Sequence, residues 1–131
     1  MKNVVLNACL LFTTLCFASA AIAADSGDSR IVNVYQCKFK ENKSIDDVHA
    51  ANGKWSRYVN SNVAGGDIHS YVLQTLVGTS GTFLYMDSYP SLAAWEAASN
   101  IESDEMKAID KELGEVAECS SNTLHRSKES K

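Results

Sequence analysis

The chain has 131 residues, is 45% hydrophobic and 21% charged, and carries a formal net charge of −4. That length suffices for one compact domain with a real core and leaves no room for a second. The acidic residues are scattered and no basic stripe gathers to neutralise phosphates, which argues against nucleic acid or anionic lipid as partners.

Residues 1–23 read as a signal peptide. Lys2 supplies a positive start, Val4 to Phe17 is mostly apolar, and Ala21-Ile22-Ala23 places small residues where signal peptidase cuts. The apolar run is too short to anchor in a membrane, which takes about 20 residues, so no membrane span is expected. The chain is expected to be exported, to a periplasm or to the medium. Removing the leader takes Lys2 with it and leaves 11 Lys and Arg against all 16 Asp and Glu, a formal charge of −5. Cys9 and Cys16 leave as well; Leu6-Asn7-Ala8-Cys9 has too few residues ahead of it to be a lipid-attachment site. The remaining pair, Cys37 and Cys119, is even in number and bound for an oxidising compartment, so a disulfide is expected. Closing so long a loop stabilises a fold by roughly 4 kcal/mol in the chain-entropy picture.

Residues 24–30 are small and polar and read as a flexible lead-in. Ile31 to Phe39 is rich in β-branched and aromatic residues, with Tyr35, Cys37 and Phe39 on one face, and predicts a first strand. Ser44 and Asp47 form a capping box ahead of a helix whose buried stripe is Ile45, Val48, Ala51 or Asn52, Trp55 and Val59. Gly53 weakens its centre by about 1 kcal/mol against Ala. After Gly65-Gly66-Asp67, Ile68 to Val77 and Thr82 to Tyr89 predict two strands joined by a hairpin loop, Gly78 to Gly81. Pro90 stops the third strand. Ser91 caps a helical run from Leu92 to Ala98, and a second start at Ser103-Asp104-Glu105 leads through Met106, Ile109 and Leu113 to Gly114, where the helix is expected to end. Val116 to about His125 predicts a fourth strand, and residues 127–131 read as a flexible tail.

The order βαββαβ is the ferredoxin-like arrangement, an α+β fold with a four-stranded antiparallel sheet and helices on one face; the domain spans 31–126. In that topology the first strand lies between the third and fourth and runs antiparallel to the fourth. The end of the one then meets the start of the other, where Cys37 and Cys119 fall.

The stretch from Thr82 to Trp95 has a more specific shape. A strand carries aromatic and acidic residues toward its end, a short turn follows at Pro90, and Leu92 precedes Trp95 by three residues on the next helix. This resembles the dimeric α+β barrel superfamily, which includes antibiotic-biosynthesis-monooxygenase-like and haem-degrading proteins. The resemblance implies a homodimer whose two sheets face each other as a barrel, with a pocket in each subunit between sheet and helices. In the haem-degrading branch an Asn on the first strand, a Trp on the second helical region and a later His carry the chemistry. Asn33 and Trp95 match the first two, but the comparable stretch Glu102 to Met106 holds no His, so no haem is expected, nor any other cofactor.

Among chemistry-bearing residues, His49, His69 and His125 match no metal motif in their spacing, and no metal site is expected. His69, on a strand, and Asn33 remain the candidates for catalysis. Asn33, Tyr35, Trp55, Tyr58, Tyr71, Tyr85 and Trp95 are the candidate lining of a pocket for a small, largely apolar ligand, although aromatic residues at such spacing equally build a core. There is no nucleophile elbow and no phosphate-cradling loop. Three readings follow: a ligand-binding homodimer, a cofactor-independent oxygenase or isomerase of the barrel type, and a structural partner of another exported protein.

Overall fold

The computed structural model describes residues 29–130; the leader, Cys9 and Cys16 lie outside them. The elements run β1 (Ser29–Phe39), α1 (Ile45–Asn62), β2 (His69–Gln74), β3 (Thr82–Tyr89), α2 (Leu92–Ser99), α3 (Asp104–Val116) and β4 (Ala117–Lys128). The sheet order is β2-β3-β1-β4 with every neighbouring pair antiparallel, the ferredoxin-like α+β fold.

All three helix starts sit on serines. Ser44 accepts from the Asp47 amide while Asp47 reaches back to Ser44, Ser91 accepts from Ala94, and Ser103 accepts from Met106. Each side chain satisfies an amide that has no partner within its helix. Two helices outrun their glycines. α1 passes through Gly53 without a break, and α3 continues past Gly114 to Val116, because a chain packed on a sheet outweighs a propensity of about 1 kcal/mol.

The strands differ from expectation at their ends. β2 starts after Ile68, whose amide and carbonyl are both taken by the Asn60 side chain of α1 (2.9 and 2.7 Å). It stops at Gln74, and Leu76 and Val77 project into solvent from a wider loop whose Gly78 and Gly81 hold positive φ. At the other edge, β1 begins at Ser29 and β4 continues to Lys128. These ends pair with one another, Ser29 with Lys128 and Arg30 with Ser127, so residues 29–30 of the expected lead-in and 127–128 of the expected tail are strand. Arg30 fixes that corner through Ser88 Oγ (2.6 Å) and the Asp67 carboxylate (2.7 Å). At the opposite end of β1 the register places Cys37 across from Cys119, and the two are joined in a disulfide next to a bulge.

Two apolar clusters fill the space between sheet and helices. One gathers Ile31, Val59, Ile68, Tyr89, Ala94 and Met106; the other gathers Cys37, Val48, Ala51, Phe83, Tyr85 and Val116. Phe83 stacks on Phe39 at 4.9 Å and meets Tyr85 edge-on at 5.0 Å. Between the clusters the core changes character.

Candidate functional site

Period-2 alternation turns Ile31, Asn33, Tyr35 and Cys37 of β1 toward the helices, together with Phe83, Tyr85, Asp87 and Tyr89 of β3. The register sets Asn33 beside Asp87 and Tyr35 beside Tyr85. A polar layer therefore crosses the middle of an otherwise apolar face. Asn33 is 4% exposed, Asp87 5% and Asn52 of α1 8%.

Asp87 organises this layer. Ser70, its neighbour on β2, donates its hydroxyl proton to the Asp87 carboxylate and accepts from Asn52 Nδ2 at 2.9 Å, linking β3, β2 and α1. Asn33 Nδ2 donates to the Tyr35 hydroxyl at 2.7 Å. Two buried atoms have no hydrogen-bond partner among the described residues at this layer, Asn33 Oδ1 and the Tyr85 hydroxyl. Buried polar atoms are nearly always paired, so such orphans call for an explanation.

A cavity of about 320 Å³ opens against this layer. Its floor is Tyr35, Tyr85 and Asp87; Asn52 and Trp55 of α1 form one wall, and Asp110 and Leu113 of α3 the other. Cys119 borders it at the start of β4. Burial pushes the Asp87 carboxyl up to about 6, with the Ser70 hydroxyl opposing, and pushes the Tyr85 hydroxyl up to about 12, helped by the Asp87 charge. Burial and then the Asp87 charge also raise the Tyr35 hydroxyl, and burial raises Asp110. A carboxylate in this setting is poised to take up a proton near neutral pH. Two larger depressions exist, about 530 Å³ under the β2–β3 loop and about 470 Å³ between α1 and α3, but neither is lined by a buried ionisable group.

Of the residues marked from sequence, Tyr35, Trp55 and Tyr85 line the cavity, and Asn33 holds Tyr35 from the adjoining position. The others lie elsewhere. Trp95 packs on the cluster around Ile31 and Tyr89. Tyr58 spends its hydroxyl on Ser103 at 2.7 Å, outside the cavity. Tyr71 and His69 are exposed at odd positions of β2, opposite in facing to Ser70, and so lie on the sheet surface away from the helices. His69 pairs with Asp67 at 3.0 Å and does not reach the cavity. His49 and His125 are exposed as well. Asp87, Ser70, Asn52 and Asp110 were not marked from sequence. For Asp87 a signal existed, since it interrupts the inward alternation of Phe83, Tyr85 and Tyr89.

No protein-family model and no curated protein sequence matches the chain. Solved structures do. It is similar to SnoaB, a cofactor-independent oxygenase from Streptomyces nogalater, at 8% identity over 79% of this chain and 96% of SnoaB, with a TM-score of 0.58. It is also similar to a Caulobacter crescentus protein described as a candidate antibiotic biosynthesis monooxygenase, at 14% identity over 80% and 93% of the two chains, with a TM-score of 0.55. A conserved protein from Methanosarcina mazei matches at 12% identity over 79% and 96%, with a TM-score of 0.53. The chain shares the α+β fold of these proteins. At these identities the likeness establishes the fold alone, and any activity has to be argued from the cavity.

Proposed function

We propose that this chain is an exported, homodimeric binding protein whose sheet–helix cavity holds one small, largely apolar molecule. The observation that carries the reading is the cavity itself, lined by Tyr35, Trp55, Tyr85 and Leu113, with a buried carboxyl group in its floor and orphaned polar atoms beside it. Ligand sites have this make-up, an apolar wall with a few convergent polar groups. Export is supported by the leader-like residues 1–23 and by the Cys37–Cys119 disulfide.

The dimer is supported by the other face of the sheet. Among the described residues no helix packs there, yet it presents Val32, Val34, Leu84 and Met86, only partly exposed, beside Tyr71 and Leu73, which are 46% and 41% exposed. A contiguous apolar sheet face of this kind is what a second sheet would cover. Met86→Asp is expected to convert a dimer to a monomer in sedimentation velocity, and a monomeric parent chain would overturn this part. Native mass spectrometry of protein purified from its own host tests the binding reading. A small-molecule adduct lost on denaturation supports it; a chain that arrives empty and takes up no apolar or aromatic compound from a panel refutes it.

A second reading, a cofactor-independent oxygenase, is favoured by one feature. The Asp87 carboxylate is placed to accept the proton of a hydroxyaromatic substrate, whose anion then reduces dioxygen directly. Oxygen uptake with a quinol library decides it: uptake that Asp87→Asn abolishes supports the oxygenase, and no uptake with any quinol sinks it.

A further inference from the structure

The cavity combines three kinds of group whose joint chemistry points to a particular ligand. Tyr35, Trp55 and Tyr85 offer aromatic rings, whose faces carry negative electrostatic potential. Asp87 and Asp110 offer two carboxyl groups from opposite sides, one on the sheet and one on α3. No Lys, Arg or His is among the lining residues, so among the described residues neither acid has a cation facing it across the cavity. Asp87 is 5% exposed and among the described residues receives only the Ser70 hydroxyl, while an acid buried this deeply is ordinarily paired with a positive charge. The Tyr85 hydroxyl is an independent sign of something unfilled. Tyr85 is 7% exposed, lines the same cavity, and its oxygen is buried without a partner among the described residues. That oxygen can accept a hydrogen bond from an N–H group.

We infer that the ligand of this cavity is a small organic cation, a protonated amine on an aromatic or otherwise apolar body, with the ammonium held by Asp87 and Asp110 and the body packed against Tyr35, Trp55 and Tyr85. This rests on the binding reading above and narrows it to one chemical class. Aromatic walls with carboxylates are the usual solution for recognising an ammonium group, because a cation gains from ring faces and charge together once water is excluded. The chain's net charge of −4 draws cations and repels anions over a longer range. Filling the site also supplies the buried carboxylate with the counter-charge it lacks.

Three indole compounds of matching shape test the inference: tryptamine, which carries an ammonium, tryptophol, its neutral hydroxyl counterpart, and indole-3-acetate, an anion. Calorimetric titration of the purified chain, with its disulfide intact, is expected to rank them in that order, with tryptamine about tenfold tighter than tryptophol. Asp87→Asn and Asp110→Asn are each expected to weaken tryptamine severalfold more than tryptophol, so that the preference shrinks. Asp110 is exposed on α3, so its variant keeps the test intact if the Asp87 substitution disturbs folding. Tryptophol or indole-3-acetate binding as well as tryptamine overturns the cation inference and leaves an apolar binding cavity standing. A preference that survives both substitutions overturns it too, by placing the ammonium elsewhere. Failure of all three compounds to bind overturns the cation inference, while the binding reading falls only if the native chain also arrives empty and refuses the wider panel.

Discussion

Asp87→Asn tests the physical core of the site without any ligand. The wild-type carboxyl titrates at about 6 in the folded chain against 3.8 for a free Asp side chain. Between those values the native protein holds a proton that the unfolded chain has released. Stability must then fall as pH rises from about 4 to about 6 and stay low above that. The sign follows from the raised value: the favourable contribution is present at acid pH and is lost on passing 6. At ~1.4 kcal/mol per tenfold change in proton affinity, the gap amounts to about 3 kcal/mol at neutral pH. Asparagine keeps the shape, and its Oδ1 can still accept from Ser70, but it carries no charge. Urea unfolding followed by the fluorescence of Trp55 and Trp95, from pH 4 to pH 8, is the assay. Relative to wild type, Asp87→Asn is expected to gain about 2 to 3 kcal/mol between pH 4 and pH 7.5. Asp47 and Asp67 are held below the usual carboxylate range, Asp47 by the Ser44 hydrogen bonds and Asp67 by Arg30 and His69. They lend stability above about pH 4, but equally to both proteins, so they cancel in the difference. Any new clash at position 87 adds a constant, and the change with pH is what decides. A difference that does not move with pH, or that moves toward wild type as pH rises, would refute the argument that burial leaves this charge uncompensated.

Tyr85→Phe deletes a buried hydroxyl that has no partner among the described residues. It is therefore expected to raise stability by about 1 kcal/mol in the same unfolding experiment. A loss of stability would show that the oxygen is satisfied after all, for instance by a bound water. Replacing Cys37 and Cys119 together by Ser opens a covalent link between residues 82 apart in sequence. About 4 kcal/mol should be lost, and reductant should lower the urea midpoint of the parent chain but not of the double variant. Ser103→Ala removes both the cap on the Met106 amide and the partner of the Tyr58 hydroxyl. About 1 to 2 kcal/mol is expected to go, more than for Ser91→Ala, whose side chain makes only the cap bond to Ala94 among the described residues.

What the sequence makes legible here is what short-range chemistry decides. Serine caps, β-branched alternation and Pro90 act within a turn or two of themselves, and the three helix starts and the end of β3 lie where those residues place them. The β1–β4 register was readable because two cysteines select one antiparallel pairing. The misses share a cause as well. Asn60 takes the backbone of Ile68 across a gap of 8 residues, and Ser29 pairs with Lys128, so the ends of β2 and the outer ends of β1 and β4 depend on partners that local pattern does not reveal. The site fared similarly. Tyr35 and Tyr85 were legible as inward positions, but Tyr71 and His69 fall on the other face of β2 because the β2–β3 register sets Ser70 against the inward Asp87 and turns the odd positions outward. Tyr58 and Trp95 are half-buried for packing and capping rather than for the cavity. Asp87 was visible as an acid in an aromatic strand, and its meaning depends on Ser70 and Asn52, which only the fold brings to it.

The position of the polar layer explains why the sheet is clamped where it is. A core divided at mid-height by Asn33, Asn52 and Asp87 gives up apolar contact where a small domain can least spare it, and it holds a charge that neutral pH leaves unpaired. β1 carries this layer at its centre, and it is β1 that is fastened at both ends. Arg30 bonds to Ser88 and Asp67 at one end, and the disulfide to Cys119 closes the other. Neither clamp touches the Asp87 carboxylate. They stabilise the strand pairings that flank the layer, so Asn33, Tyr35, Tyr85 and Asp87 keep their relative positions although the layer itself is unfavourable. A fold needing only stability would be better served by apolar side chains at 33 and 87. That both positions are polar, buried and held from their ends is the strongest structural argument that the cavity exists to be filled.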